Sequence, residues 1–372
     1  MSHFKIWNSG HPAGRYLSMQ VIGRCCFDAN SIILSIFTVQ NTKKMKTKII
    51  LLSCLLLLCS VNMLHAQWGF GKVEEIEEMK SRKLVIMTQD ENEKVIEKLQ
   101  KKGYSDKIDD YKQSLDEYNK VMEESVLNIW PFHEEAELKT YDQLRELAKN
   151  KSEKYVVIYV VNVDVTQTYM NGKYETHYDI DYKLDWTYRD AKNDDYDKAE
   201  KGSGNEFSML RVALIEDFLK TPIAQVSLPN KFPTKSDIAF GLDYCTWYMN
   251  QRLNDQKAKD MRDILKDNPK KIPDYTLAIC ADDLSSKVPE SKVKLVYPNP
   301  HEVVTREEMD NIILNRSEGY AYLVVLFGTA VIADAKTGEM LDVADGFGGG
   351  SNLLLTEKDF ERILKDIEKA SK

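Results

Sequence analysis

Short apolar runs alternate with amphipathic stretches through the first half of the chain, and this alternation predicts a β-α-β-α-β order. A strand is predicted at Leu84–Thr88, and the helix after it starts at Asp90 and stops before Gly103. The next helix carries apolar side chains three or four positions apart, at Ile108, Tyr111, Leu115, Tyr118 and Met122. A strand at Leu127–Trp130, a helix capped by Thr140 and a strand from Tyr155 complete the order.

A ribbon of alternating apolar and polar residues follows at Tyr174–Arg189. Asn171-Gly172, just before it, is a dipeptide typical of a β-hairpin turn. Short strands that alternate with helices predict a parallel or mixed sheet covered by helices. The predicted fold class is therefore α/β (α+β).

The second half opens with a helix that starts at Ser236-Asp237 and is apolar on most of its surface. Strands are then predicted at Tyr275–Cys280 and Val293–Val296. A loop from Asp334 to Gly338 joins two later strands, Val331–Ala333 and Met340–Val343. Gly338 can adopt a positive φ there without steric cost.

The two halves resemble each other in pattern. Thr140 and Tyr155 correspond to Thr305 and Tyr320 at one offset of 165 residues. Further on, Asp190-Ala191-Lys192-Asn193 matches Asp334-Ala335-Lys336-Thr337 at an offset of 144, and closing helices are predicted at Leu210–Lys220 and Thr356–Lys369. These matches predict a duplicated module, with an extra hairpin in the first copy.

The predicted organisation follows from this repeat. Two related modules with mixed sheets and flanking helices occupy residues 67–221 and 275–372, and a helical connector at 222–274 joins them. Residues 45–66 are predicted to be a signal peptide, and residues 1–44 an upstream extension from a start codon assigned too early.

The signal-peptide prediction depends on the residues around Met45. Lysines surround this methionine, an apolar run extends from Ile49 to Val61, and Ala66 offers a small residue for cleavage before Gln67. The apolar run is shorter than the roughly 20 residues that cross a bilayer as a helix. We therefore expect Sec-dependent export to the periplasm or outside the cell, with no transmembrane span after processing. A lipid anchor at Cys54 or Cys59 is the alternative.

Charge narrows the class of partner. The segment before Gln67 holds seven of the 51 Lys and Arg and one of the 59 Asp and Glu, which leaves a net charge of −14 on the exported part. Such a surface repels nucleic acid and anionic lipid. The expected partner is an unidentified envelope protein or glycan, and no cofactor is expected.

Paired His-Glu dipeptides are the first candidates for chemistry. His133-Glu134 and His301-Glu302 each precede a capped helix and fit a metal or acid–base site in both copies, or only polar loops that enter helices. The exported part holds one further histidine, His177, and lacks a helical zinc motif. No metal is therefore expected at these histidines.

Two other groups of residues have open alternatives. The side chains of Asp190, Asn193, Asp194 and Asp197 could supply calcium ligands or form an acidic turn. Cys245 and Cys280 could form a disulfide or remain two buried thiols. The glycine-rich stretch Gly346–Ser351 lacks the lysine of a phosphate-binding loop, so a connector is the favoured interpretation.

The signal with Ala66-Gln67 and the stretch from Tyr297-Pro298 to Tyr322 resemble exported α/β proteins of Bacteroidota-type bacteria that have no known activity. The order of strands and capped helices is also similar to small α/β modules of envelope assembly proteins, such as the amino-terminal domain of the Tol-system propeller protein. These resemblances and the lack of a catalytic motif predict a non-enzymatic binding or assembly protein of the cell envelope. The alternatives are a secreted hydrolase with a carboxylate-based site and a self-associating structural component of the envelope.

Overall fold

The computed structural model describes residues 71–150, 154–170, 173–184, 206–254, 265, 267–327, 329–345 and 354–372. The α-helices in these ranges are α1 Val73–Met79, α2 Glu93–Lys101, α3 Asp106–Ile129, α4 Tyr141–Asn150, α5 Lys235–Asn254, α6 Glu290–Val296, α7 Arg306–Leu314 and α8 Glu357–Ala370. The strands are β1 Lys83–Thr88, β2 Ala136–Thr140, β3 Tyr155–Met170, β4 Lys173–Asp181, β5 Glu206–Leu214, β6 Ala224–Ser227, β7 Thr276–Cys280, β8 His301–Val304, β9 Tyr320–Leu326, β10 Thr329–Asp334 and β11 Met340–Asp345.

The strands form two mixed sheets, which confirms the predicted fold class. Sheet A has the order β2-β1-β3-β5-β6, with β4 paired to the far half of β3. Sheet B has the order β8-β7-β9-β10-β11. In each sheet the first three strands of that order are parallel and the remaining pairs are antiparallel. The two sheets therefore have the same topology, apart from the added strand β4.

The strand registers are also the same. Leu84 of β1 pairs with Ala136 on one side and Val156 on the other, and Leu277 of β7 pairs with His301 and Ala321. One offset of 165 residues therefore relates β2 to β8 and β3 to β9, as it relates Tyr155 to Tyr320. Each strand position of one sheet therefore has a definite counterpart in the other.

Helix α5 lies between the two sheets, in one continuous core. The core is formed by α5, by the face of sheet A that carries Leu84 and by the face of sheet B that carries Ala278. Helices α1, α3 and α7 add further side chains to it. Most of α5 is buried, Phe240 and Cys245 completely. A Cβ on Gly241 would lie 2.9 Å from the Leu228 side chain, so the helix lies very close to sheet A. A helix that is apolar all round is expected to be buried on every side, and α5 meets that expectation.

The two modules stack head to tail. The sheet A face that packs on α5 corresponds by register to the sheet B face that packs on α8, because Leu84 corresponds to Leu277. Helices α5 and α8 each follow the last strand of their sheet. The sheet B face that packs on α5 and α7 therefore corresponds to the outer face of sheet A.

The outer face of sheet A is covered differently. There α4 packs over the sheet. Tyr178 and Ile180 of β4, and Tyr182 just after β4, pack against the same face. Side chains of the added hairpin thus help to cover a face that in the second module is covered by α5. At the other end of the stack, α8 buries Phe360 and Ile363 and exposes charged side chains on its opposite face.

Several local predictions are confirmed. The strand near Leu84, the long helix with its apolar stripe and the β10–β11 pair all form, and Gly338 has φ of +70°. Thr305 and Glu308 form a reciprocal capping box at α7. Strands β3 and β4 pair up to Met170 and Lys173, on either side of Asn171-Gly172, which lies outside the described residues.

Three predicted elements are wrong. Residues 127–129 continue α3, because their apolar side chains extend the stripe of that helix, and the next strand is β2. Val293–Val296 lies in α6, where Val293 faces the core, and the strand is β8. The closing helix predicted at Leu210–Lys220 is strand β5 followed by a short 3₁₀ helix at Ile215–Asp217. Strand β6 lies beyond the module boundary expected at residue 221, so sheet A extends into the expected connector.

Candidate functional site

His133 supports the local fold. The Trp130 indole N–H donates to its Nδ1 over 3.1 Å, so the proton of the neutral ring is on Nε2 and is donated to the Arg82 carbonyl over 2.9 Å. Burial lowers the pKa of His133, although the carbonyl contacts favour its protonated form. Both ring nitrogens are therefore engaged in tying α3 to the start of β1, and the adjacent Glu134 is exposed.

His301 lies in a different position. It is the first residue of β8, so its counterpart by register is Ala136, and its Nδ1 lies 2.8 Å from the Asn299 carbonyl. Glu302 accepts a hydrogen bond from the Tyr320 hydroxyl over 3.0 Å. The two His-Glu dipeptides therefore occupy different positions, because His133 lies three residues before β2 whereas His301 is the first residue of β8. In the part of the chain that the structure describes, no group of three or more His, Cys, Asp or Glu side chains could hold a metal ion.

The remaining candidates are the two cysteines, the possible calcium ligands and the glycine-rich stretch. Cys245 and Cys280 are free, buried thiols, which is the second of the two alternatives for this pair. Burial raises the pKa of both thiols, and the nearby Asp283 carboxylate adds to this effect at Cys280. The calcium candidates Asp190, Asn193, Asp194 and Asp197 and the glycine-rich stretch Gly346–Ser351 lie outside the described residues.

The carboxyl ends of the parallel strands are the usual ligand position in open α/β sheets. In sheet B this position holds an ion pair between Arg306 and Asp283, with 2.9 Å between Nη2 and Oδ1. The α5 amino terminus lies beside it, where the Ser236 hydroxyl donates to Asp310 over 2.5 Å. The chain's own side chains therefore fill this end of sheet B.

In sheet A the same position is closed by the segment after β4. The Gln89 amide donates to the Tyr182 carbonyl over 3.2 Å and accepts from the Leu184 N–H over 3.0 Å. Lys183 binds Asp142 at the start of α4 over 3.1 Å. The segment that carries Tyr182 is thus fixed across the carboxyl end of β1, next to the outer face of the sheet.

An unusual polar row crosses that outer face. Tyr159, Arg211 and Gln225 are register partners on β3, β5 and β6, and all three are buried. The Arg211 Nε donates to the Gln225 side-chain oxygen and its Nη2 to the Lys220 carbonyl, each over 3.2 Å. The guanidinium lies over the Tyr159 ring, 5.7 Å from its centroid, which is a cation–π arrangement.

Arg211 lacks the partner that a buried guanidinium normally has. Its side chain is among the largest that are fully buried, yet it forms no ion pair with any carboxylate in the described ranges. Its Nη1, which carries two N–H donors, has no hydrogen-bond acceptor there. Burial of a charge without a counter-charge costs several kcal/mol.

Aromatic side chains surround the guanidinium, and together with Arg211 and Gln225 we call this set the Arg211 cluster; its rings are Tyr141, Tyr159, Tyr182 and Phe218. Tyr182 stacks against Tyr141, with 5.1 Å between centroids, and against Tyr159, with 6.1 Å. Burial raises the pKa of Tyr182, and the nearby Arg211 charge opposes that shift. Tyr141 and Tyr182 are the partly exposed rings of the cluster. A shallow groove follows α4 and is lined by residues that include Asp142 and Glu146, but by no member of the cluster.

The second module has no such row. The register counterparts of Tyr159, Arg211 and Gln225 are Val324, Val331 and Val343, and these valines pack in the core beneath α5 and α7. This sheet position is therefore apolar beneath α5 and α7 in the second module and cationic on the outer face of sheet A in the first. An arginine that alternates with the apolar residues Phe207, Met209 and Ala213 on one face of β5 is the sequence signal for this row. The helix wrongly predicted there concealed this strand alternation.

No family model, curated protein or solved structure matches this chain. The resemblances to exported proteins and to the Tol-system module therefore stay predictions. Within the ranges that the structure describes, no helix combines the length and the apolar character that a membrane crossing requires.

One further carboxyl group has an unusual environment. Asp342 of β11 is buried, its Oδ2 has no hydrogen-bond partner among the described residues, and Asp366 of α8 lies nearby. Burial, with a smaller contribution from the Asp366 charge, raises the pKa of Asp342 from 3.8 to about 7. The folded protein therefore holds this proton more tightly than the unfolded chain does.

A pH dependence of stability follows from Asp342. The free energy of unfolding should fall as pH rises from about 4 to about 7, because the unfolded carboxyl releases its proton in this window and the folded one keeps it. Asp342→Asn should flatten this fall and leave the variant more stable at pH 8, by on the order of 2 to 4 kcal/mol. Urea unfolding of both proteins at several pH values measures this difference. If the free energy of unfolding has the same pH dependence in both, the raised pKa of Asp342 is contradicted.

Proposed function

We propose that this protein is a non-enzymatic binding or assembly protein of the bacterial cell envelope, exported through the Sec pathway. The observation that carries the proposal is the difference between the two modules at one sheet position. A buried row of Tyr159, Arg211 and Gln225 stands where the second module has three valines. A scaffold needs no buried cation, and Arg211 has no counter-charge among the described residues, so we explain it as part of a binding site.

Two features of the scaffold support a binding role. The shared topology and register of the sheets are what a tandem duplication would produce, and we infer that one ancestral unit was copied. The first copy then acquired the β4 hairpin, which extends sheet A beside the far half of β3, and the segment after it, whose Tyr182 ring stacks on Tyr159 of the polar row. The signal pattern before Gln67 and the acidic composition support an exported protein that binds a protein or a glycan.

Capture experiments test the binding role. The full chain, with an affinity tag after Lys372, is expressed in a Bacteroidota host and cross-linked in intact cells. We expect the wild type to recover a repeatable envelope component, and Arg211→Val to recover at least tenfold less of it. Valine is the residue of the second module at this position, so the variant should fold. Lys149→Val, which removes an exposed lysine of α4, is the matched control and should capture as wild type does.

Two outcomes would overturn the proposal. One is the absence of any repeatable envelope component, protein or glycan. The other is recovery of the chain from the cytosol with residues 1–66 intact, as measured by mass spectrometry of the purified protein. Equal recovery by wild type and Arg211→Val would move the binding site away from the Arg211 cluster.

A hydrolase with paired carboxylates is the second candidate function, and Asp342 with Asp366 is the observation that favours it. A carboxyl group that keeps its proton near pH 7 beside a second carboxylate is the arrangement of a general acid. Asp342 is buried between β11 and α8, so a substrate would reach it only after α8 moves. Hydrolysis of envelope glycans or peptides that is lost in Asp342→Asn would support this candidate over the binding role.

A further inference from the structure

We propose that Arg211 recognises an oxyanion, a carboxylate or phosphate group of the ligand, which reaches the guanidinium by displacing the ring of Tyr182. This proposal rests on the proposed binding function and names the chemistry of its ligand. In the described ranges no carboxylate pairs with the buried Arg211 guanidinium, so an oxyanion of the ligand would supply a counter-charge that stabilises it.

The hydrogen-bond geometry leaves donors for such a group. The Gln225 oxygen and the Lys220 carbonyl fix Nε and Nη2, and these contacts together with the Tyr159 ring hold the guanidinium in place. Among the described residues the two N–H groups of Nη1 form no well-aligned hydrogen bond, although the Tyr182 hydroxyl lies close enough to interact with the guanidinium. A donor group held in advance in this way loses little conformational entropy when the ligand binds.

The position of Tyr182 gives the route of entry. Its ring occupies the slot between Tyr141 and Tyr159, and its hydroxyl lies near Arg211. Tyr182 is partly exposed and belongs to the segment after β4, whereas Tyr159 and Phe218 lie in the core. Movement of the Tyr182 side chain alone would therefore open the guanidinium to a ligand.

The second module shows that the sheet can form without a buried arginine. Its three valines at the corresponding positions give this topology an apolar core. Arginine is therefore not needed for the sheet to form. Replacement by valine should remove the oxyanion effect while it keeps the fold, which makes the proposal testable apart from stability.

The test is thermal unfolding of the purified full-length protein in sodium phosphate, sodium acetate and sodium chloride at one ionic strength. We expect a saturable rise of the wild-type midpoint with phosphate or acetate relative to chloride, because a ligand that binds the native state stabilises it. The anion with the lower half-saturating concentration, phosphate or acetate, shows whether the ligand group is a phosphate or a carboxylate. Arg211→Val should weaken the effect at least tenfold, and Lys149→Val should leave it unchanged.

Two further variants sharpen the test. Arg211→Lys keeps the charge without the planar fork and should retain part of the effect, which also covers the case in which Arg211→Val does not fold. Tyr182→Ala removes the displaced ring and should bind the anion at least as tightly as the wild type. Weaker binding by Tyr182→Ala would contradict the entry route.

The outcomes separate the ligand chemistry from the binding function. An equal rise in wild type and Arg211→Val means an adventitious ion only, since phosphate also stabilises proteins through general exclusion from their surface, and it overturns the proposal. The proposal is also overturned if neither anion raises the unfolding midpoint at concentrations up to about 100 mM, because the dissociation constant would then be too high for recognition. If Arg211-dependent capture of an envelope component persists in either case, the binding role stands and only the oxyanion is wrong.

Discussion

Replacing Phe240 with alanine should destabilise both modules at once, by about 4 kcal/mol. Phe240 is completely buried in α5, and its ring meets that of Tyr322 in sheet B edge to face, with 6.4 Å between centroids. The helix around it packs against sheet A through Gly241 and its neighbours. The truncation therefore opens a cavity in the core that the two sheets share.

Hydrogen exchange with mass spectrometry measures this result by region. Peptides from β3 in sheet A and β9 in sheet B should lose protection together in Phe240→Ala. Phe360→Ala in α8 is the matched control, because Phe360 is equally buried but packs on the far face of sheet B. It should affect β9 first. If Phe240→Ala changes protection in sheet A alone, the two modules are not coupled through α5.

The shared core explains which parts of the fold the sequence predicted well. Elements with long periodic patterns, such as α3 and α5, follow from the spacing of their apolar residues, and capping boxes mark the start of α7. The offset of 165 residues between Thr140 and Thr305 correctly anticipated the register that relates the two sheets.

Short apolar runs were the weak point. Residues 127–130 and 293–296 fit either a strand or the last turn of a helix, because four residues show no period. In both modules the run continues the preceding helical stripe toward the core, and the next strand begins at Ala136 or His301. Packing of the helix end settles these cases, and the chain pattern alone does not contain that information.

The Arg211 cluster was missed for a related reason. Its members come from β3, α4, the segment after β4, β5 and β6, and only the sheet register places Tyr159, Arg211 and Gln225 side by side. No spacing in the chain encodes that row. The His-Glu dipeptides attracted attention because they are adjacent in sequence, yet they form ordinary local contacts.

Loss of one ion pair between the modules should also have a large effect. Arg316, after α7, donates from both terminal nitrogens to the Asp243 carboxylate of α5, with 2.9 Å between Nη2 and Oδ1. Asp243 is buried, and burial raises its pKa while the Arg316 charge opposes that shift. Arg316 adopts a positive φ of 54°, which costs a non-glycine residue about 1 to 2 kcal/mol. The ion pair therefore compensates a strained backbone.

Arg316→Ala should cost about 3 kcal/mol at pH 8, because it leaves the Asp243 carboxylate buried and unpaired. Alanine keeps the same backbone strain, so the change reports the ion pair. Without Arg316 the pKa of Asp243 should rise further, and since a raised carboxyl pKa favours the folded state only while the group stays protonated, the cost should be smaller at pH 5. Urea unfolding at both pH values measures this cost.

Lys336→Ala, which breaks an exposed pair with Glu318, is the control and should cost less than about 0.5 kcal/mol. Asp243→Asn combined with Arg316→Ala should recover part of the loss, and a cost for Arg316→Ala no larger than that of the control would show that this pair does not hold the modules together.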